Sequence, residues 1–120
     1  MPFTVKRIRD DKARGDGRRV LVERLWPRGV SKQDAALDAW LKDVAPTTAL
    51  RKWFGHEPAR WEAFRRRYFA ELETREEAAA AVAELRRLGR RGRVTLLFSS
   101  REERLNNAVA LKDHLDQLEG

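Results

Sequence analysis

The sequence predicts an α/β protein, a small, mainly parallel sheet of three or more strands packed with about five helices. Three observations carry this. Two short β-favouring runs, residues 3–8 and 20–25, each lead into charged residues. A third run, residues 93–98, is apolar enough to lie at the centre of a sheet. Between the second and third runs the apolar residues recur at helical spacing, so the connection is a crossover, right-handed if those strands pair in parallel.

In the first run, Phe3 and Val5 alternate with polar neighbours and put Arg7 on their face, while the direction of this strand stays open. Residues 9–18 are polar, contain Gly15 and Gly17, and read as a loop. Val20, Leu21 and Val22 form a buried strand that cannot run past Pro27 and Gly29. Ser31 then caps a helix with Asp34 in its first turn, and Ala36, Leu37, Trp40, Leu41 and Val44 supply its apolar face until Pro46 stops it. Thr47 or Thr48 caps a short helix carrying Leu50, Trp53 and Phe54, and Gly55 ends it. Glu57-Pro58 opens a third helix with Trp61, Phe64, Tyr68 and Leu72 inward. Thr74 to Glu77 reads as a second capping box, before a helix faced by Ala78, Ala81, Val82, Leu85 and Leu88 and closed by Gly89 and Gly92. Residues 99–107 lead to a last helix striped by Ala108, Leu111, Leu115 and Leu118. No repeat or linker divides the chain, and residues 1–120 are expected to form one domain.

Composition excludes several chemistries. With no cysteine there is no disulfide, thiolate metal site or thiol nucleophile. No apolar run approaches the roughly 20 residues of a membrane span, and the first residues lack the apolar core of a signal peptide, so no membrane partner and a cytoplasmic location are expected. No Walker loop, Gly-x-Gly-x-x-Gly or Gly-x-Ser-x-Gly motif occurs. His56 and His114 are too far apart in sequence for a metal-ligand pattern, and His56 reads as a surface loop residue. No cofactor or metal is expected. The 26 basic against 19 acidic residues give a net charge of +7, which attracts polyanions. An arginine excess also follows from genomic base composition, so charge alone does not name a partner.

Open α/β sheets bind ligands outside the carboxyl ends of their strands. The second strand delivers Arg24, Trp26 and Arg28 to that edge, and the third delivers Ser99, Ser100 and Arg101, followed by Asn106 and Asn107 at a helix start. The first adds Arg7 and Arg9 if it is parallel. Guanidiniums, hydroxyls and free helix amides together suit a phosphate or carboxylate. Each residue also has a purely structural reading. Arg24 can pair with Glu23 or Asp34, and Trp26 can serve as core. Ser100-x-x-Glu103 can be a capping pattern and Asn106 a helix cap.

Several segments resemble the YeaO-like proteins, a bacterial family built on domain of unknown function 488. They are Lys6-Arg7, Asp16-Gly17 before Arg19-Val20-Leu21-Val22, Arg24-Leu25-Trp26-Pro27-Arg28-Gly29 and Leu37-Asp38-x-Trp40. They continue with Pro46-x-Thr48-x-Leu50-Arg51-Lys52, Phe64-Arg65-x-x-Tyr68-x-x-Glu71-Leu72, Thr95-Leu96-Leu97-Phe98-Ser99 and Asn106-x-Ala108. The resemblance spans essentially the whole chain and implies a small cytosolic α/β protein. It commonly has Asn-His-Ala where this chain has Asn106-Asn107-Ala108. Asparagine hydrogen-bonds but does not exchange a proton at neutral pH, which favours binding over histidine-dependent catalysis.

The functional expectation is a cleft at the strand ends for a phosphate-type or nucleotide-like small molecule. The alternative is a nucleic-acid-binding or regulatory module using basic patches at residues 65–67, 86–87 and 90–93. An exposed apolar patch of Trp53, Phe54 and Trp61 would support a scaffold role, and full burial of all three would count against it. Oligomeric state is beyond the sequence.

Overall fold

The computed structural model describes residues 2–119. Four strands, β1 (Phe3–Arg7), β2 (Arg18–Leu21), β3 (Ala39–Trp40) and β4 (Val94–Phe98), form one sheet in the order β1-β4-β2-β3. Every pairing is parallel, which settles the direction of β1. Five helices accompany it: α1 (Lys32–Ala35), α2 (Thr48–Phe54), α3 (Trp61–Thr74), α4 (Glu76–Arg91) and α5 (Asn107–Glu119).

Strand β4 is central because all five of its residues are buried. Alternation sends Val94, Leu96 and Phe98, with Val20 and Val22, into a large core shared with α2 to α5. An aromatic stack inside this core docks α2 on α3: Phe54 lies on Phe64 with ring centres 4.3 Å apart, and Phe64 on Tyr68 at 5.6 Å. The Tyr68 hydroxyl donates to Val44 O, and burial holds its phenol proton far above the ordinary range. The start of α2 is anchored from α3, where the Glu71 carboxylate accepts from Thr47 N (3.0 Å) and Thr47 Oγ1 (2.6 Å).

The opposite face of the sheet has only a thin cover. Ile8, Leu21, Ala35 and Leu97 form a second cluster, flanked by Trp26, Val30, Leu37 and Trp40. Beneath it lies Arg19, 0 % exposed, whose guanidinium donates to Asp16 Oδ2 (2.7 Å) and twice to Ala35 O. Asp16 also accepts from Lys6 Nζ and Ala13 N. Burial opposes the charge, but these donors overcome it and hold the Asp16 carboxyl below its ordinary value. Gly17 follows at a φ of 61°, where a Cβ would sit 2.2 Å from Arg93 O, so only glycine lets this loop lie against the start of β4.

The expected helix through Ala36, Leu37, Trp40, Leu41 and Val44 does not form. Helix α1 stops at Ala35, Ala36 is left-handed (φ 49°), Ala39–Trp40 are β3, and Lys42–Val44 make a single 3-10 turn. The open edge of β2 wins over helical spacing: Asp38 N donates to Arg19 O, Leu41 N to Leu21 O, and the Asp38 carboxylate takes Arg19 N. Strand β2 itself spans residues 18–21 and not 20–25, with Val22 N still bonded to Leu97 O. The second capping box is absent too. Thr74 Oγ1 donates back to Ala70 O, and Arg75 alone, extended at φ −87°, separates α3 from α4. Gly89 continues α4 instead of closing it, and its role is close packing, since a Cβ there would meet the Phe3 ring at 2.8 Å.

Two outcomes test this account. Arg19→Met leaves Asp16 with only Lys6 and Ala13 N and removes both side-chain donors from Ala35 O, and it is expected to cost about 1–3 kcal/mol in urea unfolding. His114 is buried against Phe69 at 4.8 Å, and burial pushes its imidazole below the ordinary 6.5, opposed by Glu73. The unfolded chain therefore takes up a proton that the folded chain resists, and stability declines as pH falls below 6.5. Unfolding free energies between about pH 7.5 and 5.5 should decline less in His114→Gln.

Candidate functional site

At the carboxyl edge of the sheet the chain beyond β2 turns away from the ladder, and the space it leaves is a cleft of about 520 Å³. Glu23 organises its floor. Its carboxylate accepts from Ser99 Oγ (2.5 Å) and Ser99 N (3.0 Å) beyond β4, and its carbonyl accepts from the Trp40 indole (2.6 Å). Asn107, the first residue of α5, donates to Val22 O at 2.9 Å. The ends of β2, β3 and β4 and the start of α5 are thus fastened at two consecutive residues.

Three cations line this cleft. Arg24 donates to Ala45 O at 3.2 Å, while its Nε is buried with no partner. Arg51 and Lys52 come from the last turn of α2. Among the described residues none of the three is in an ion pair. Apolar walls come from Phe54, Phe64, Pro46 and Pro27, with Leu25, 69 % exposed, among the lining residues. Trp26 packs edge-on against Trp40 at 5.3 Å and donates its indole N–H to Val30 O. Ser100 Oγ donates to Glu102 O. The N–H groups of Arg104 and Leu105 hold the Glu102 carboxyl below its usual range, against a small burial effect.

Of the ten residues expected at this edge, Arg24, Trp26, Ser99, Ser100 and Asn107 line the cleft. The other five do not. Arg28 is exposed, and its carbonyl receives the Arg9 guanidinium at 2.9 Å. Arg9 borders a separate shallow hollow with Asp11 and Asp34. Arg7 ends β1 opposite Phe98, with a buried Nε that has no partner. Arg101 is exposed outside the lining. Asn106 is the buried cap of α5, accepting from Val109 N and donating to Glu102 O. Ser100-x-x-Glu103 makes no capping box, and Arg24 pairs with neither Glu23 nor Asp34. Sequence reasoning missed Glu23, Arg51, Lys52 and His56 as cleft residues. The available signal was Arg51-Lys52 in the last turn before a Gly55 stop.

The basic patches are partly neutralised. Arg65 pairs with Glu62 and Asp113, Arg86 with Glu119 and Arg87 with Glu84. Arg60 and Arg67 lie over the Trp53 ring. Phe54 is buried, and Trp53 and Trp61 are partly buried against the core, so the three neither form an exposed apolar patch nor are all buried. Among the described residues no cluster of three or more His, Asp or Glu side chains could hold a metal ion, and no helix is long and apolar enough to cross a membrane.

Residues 2–119 match a family model described as the inactive DUF488-N3 subclade. The chain is 40% identical to the uncharacterized protein YeaO of Escherichia coli K12, over 98% of this chain and 100% of that protein. It is 41% identical to the uncharacterized protein Rv3073c of Mycobacterium tuberculosis H37Rv, over 93% of this chain and 92% of that protein. No solved structure matches it.

The Glu23–Ser99 fastening is directly testable. Ser99→Ala removes a charge-assisted hydrogen bond, and a loss of about 1.5–3 kcal/mol in chemical unfolding is expected. Arg28→Ala, whose side chain touches none of these groups, should unfold like the parent chain.

Proposed function

This chain belongs to the YeaO-like DUF488 family, and from that premise we propose that its cleft binds a small anion of the phosphate or nucleotide type, without turning it over. The observation that carries this is the charge imbalance of the lining. Arg24, Arg51 and Lys52 have no carboxylate partners, while the one carboxylate among them, Glu23, already accepts two hydrogen bonds from Ser99. Unpaired cations facing a common space repel one another, and an anion in that space relieves the repulsion. Arginine forks donate two parallel hydrogen bonds to phosphate or carboxylate oxygens, and lysine adds a mobile point charge. The apolar wall of Phe54, Phe64 and Pro27 suits a ring or carbon skeleton attached to the anion.

The absence of turnover rests on Asn107, which occupies the position where the family resemblance carries a histidine, and agrees with the word inactive in the description of the matching subclade. A cytoplasmic protein binding a soluble metabolite fits this reading.

Thermal unfolding with a panel of inorganic phosphate, sugar phosphates and nucleoside mono-, di- and triphosphates is the test. At least one should raise the melting temperature. Arg24→Ala and Arg51→Ala should each weaken binding of that compound about 10- to 100-fold, as loss of a charged hydrogen bond implies, and Arg28→Ala should not. A silent panel, or equal shifts in all three variants, overturns the proposal. Retention of DNA or RNA with a steep salt dependence would instead select the nucleic-acid alternative.

A further inference from the structure

His56 lines the same cleft and plays no part in the reading above. It stands just after α2, and both Gly55 and His56 adopt left-handed backbone, with φ of 52° and 57°. An L-residue with a Cβ meets a steric cost there that glycine does not. Two left-handed residues in succession turn the chain back across the end of α2, where the imidazole packs beside the Phe54 ring at 5.6 Å. Nδ1 lies 3.3 Å from Leu105 O, in the loop between β4 and α5. A carbonyl oxygen only accepts, so the proton of this bond sits on Nδ1. That leaves Nε2 as the nitrogen free to meet an occupant of the cleft.

We propose that His56 contacts the bound anion through Nε2, and that anion binding is therefore linked to proton uptake by this imidazole. The proposal rests on the anion-binding reading of the cleft. Neutral, Nε2 presents a lone pair to the anion. Protonated, it presents an N–H donor and a fourth positive charge, so binding tightens as the pH falls through the range in which imidazoles charge. The surrounding charges set the sense of the coupling. Glu102, in the loop between β4 and α5, carries a carboxylate close enough to His56 to feel its charge. Glu23, beyond β2, is the other anionic group in the lining. Arg51 and Lys52 from α2 and Arg24 from beyond β2 oppose the imidazolium while the cleft lacks an anion. An anion screens that opposition, so proton and anion reinforce each other, and by linkage the effect is reciprocal.

The experiment uses probes whose own charge is constant across the range, inorganic sulfate and a 3′,5′-cyclic mononucleotide, with the full chain in titration calorimetry at about pH 8 and about pH 5.5. Affinity should rise about five- to tenfold at the lower pH, with a binding heat that changes with the buffer's ionisation enthalpy and so reports proton uptake. His56→Gln should bind with little dependence on pH or buffer, and His114→Gln should keep the full dependence. Where His56→Gln fails to fold, the wild-type His56 ring resonances in nuclear magnetic resonance give the same answer, since saturation with sulfate should shift their titration to higher pH. Equal affinity at both pH values, an unchanged dependence in His56→Gln, or an unmoved resonance overturns the proposal. Binding of neither probe at either pH is a different failure, which removes the anion reading of the cleft and this inference with it.

Discussion

The Arg19 guanidinium beneath the sheet is the constraint on which the rest of the architecture depends. A fully buried cation is costly unless it is paired and hydrogen-bonded, and each of the three guanidinium nitrogens has an acceptor here, drawn from two separate places. Asp16 closes the loop between β1 and β2, and is itself held by Lys6 from β1 and by Ala13 N. Ala35 O fixes the end of α1. A well-packed apolar cluster could fill the same volume at equal or lower cost, so the contribution of this network lies in specifying the arrangement more than in adding stability. It dictates where α1 must stop, and thereby that the following residues reach the edge of β2 as a strand.

From that point the site follows by registration. Asp38 takes both the carbonyl and, through its carboxylate, the N–H of Arg19, which places Trp40 beside Leu21. Trp40 then reaches the Glu23 carbonyl and supports Trp26 edge-on. On the other face, Glu71 of α3 holds Thr47, so α2 presents Arg51 and Lys52 to the same edge. The cleft is built from two sides by elements whose positions are fixed elsewhere, which is the arrangement a preorganised binding site requires.

How far the sequence reveals this depends on whether a residue's role is local. Strands β1 and β4, the Thr47 cap, the Gly55 stop and the inward faces of α3 and α4 follow from propensity and period, and the structure has them. The segment from Ala36 to Val44 has apolar residues at helical spacing, yet an unpaired strand edge several residues upstream outbids that pattern. Glu23 reads as an ordinary charged residue because its partner, Ser99, is remote in sequence and near only once β2 and β4 pair. Conversely, Arg28 and Arg101 look like site residues because they follow strand ends, but a side chain on an outer turn can follow a strand and still face away from the cleft. Sequence located the edge, while the crossover decided which side chains share it.

Asn107 shows why such a site can keep its shape while changing its chemistry. Its amide donates to Val22 O and so helps tie α5 to the end of β2. An imidazole N–H at this position could form the same tie and would leave its second nitrogen free for proton exchange. Asparagine preserves the tie and gives up the exchange. Glu23 serves the same structural end, since its carboxylate accepts from both the backbone N–H and the hydroxyl of Ser99 and so ties the end of β4 to the chain beyond β2. The floor thus combines a carboxylate engaged by Ser99 with an amide at residue 107, beside the cations Arg24, Arg51 and Lys52. Among the described residues of the lining the one imidazole is His56, at the end of α2, so any histidine-mediated proton exchange in this cleft falls to that residue and not to position 107.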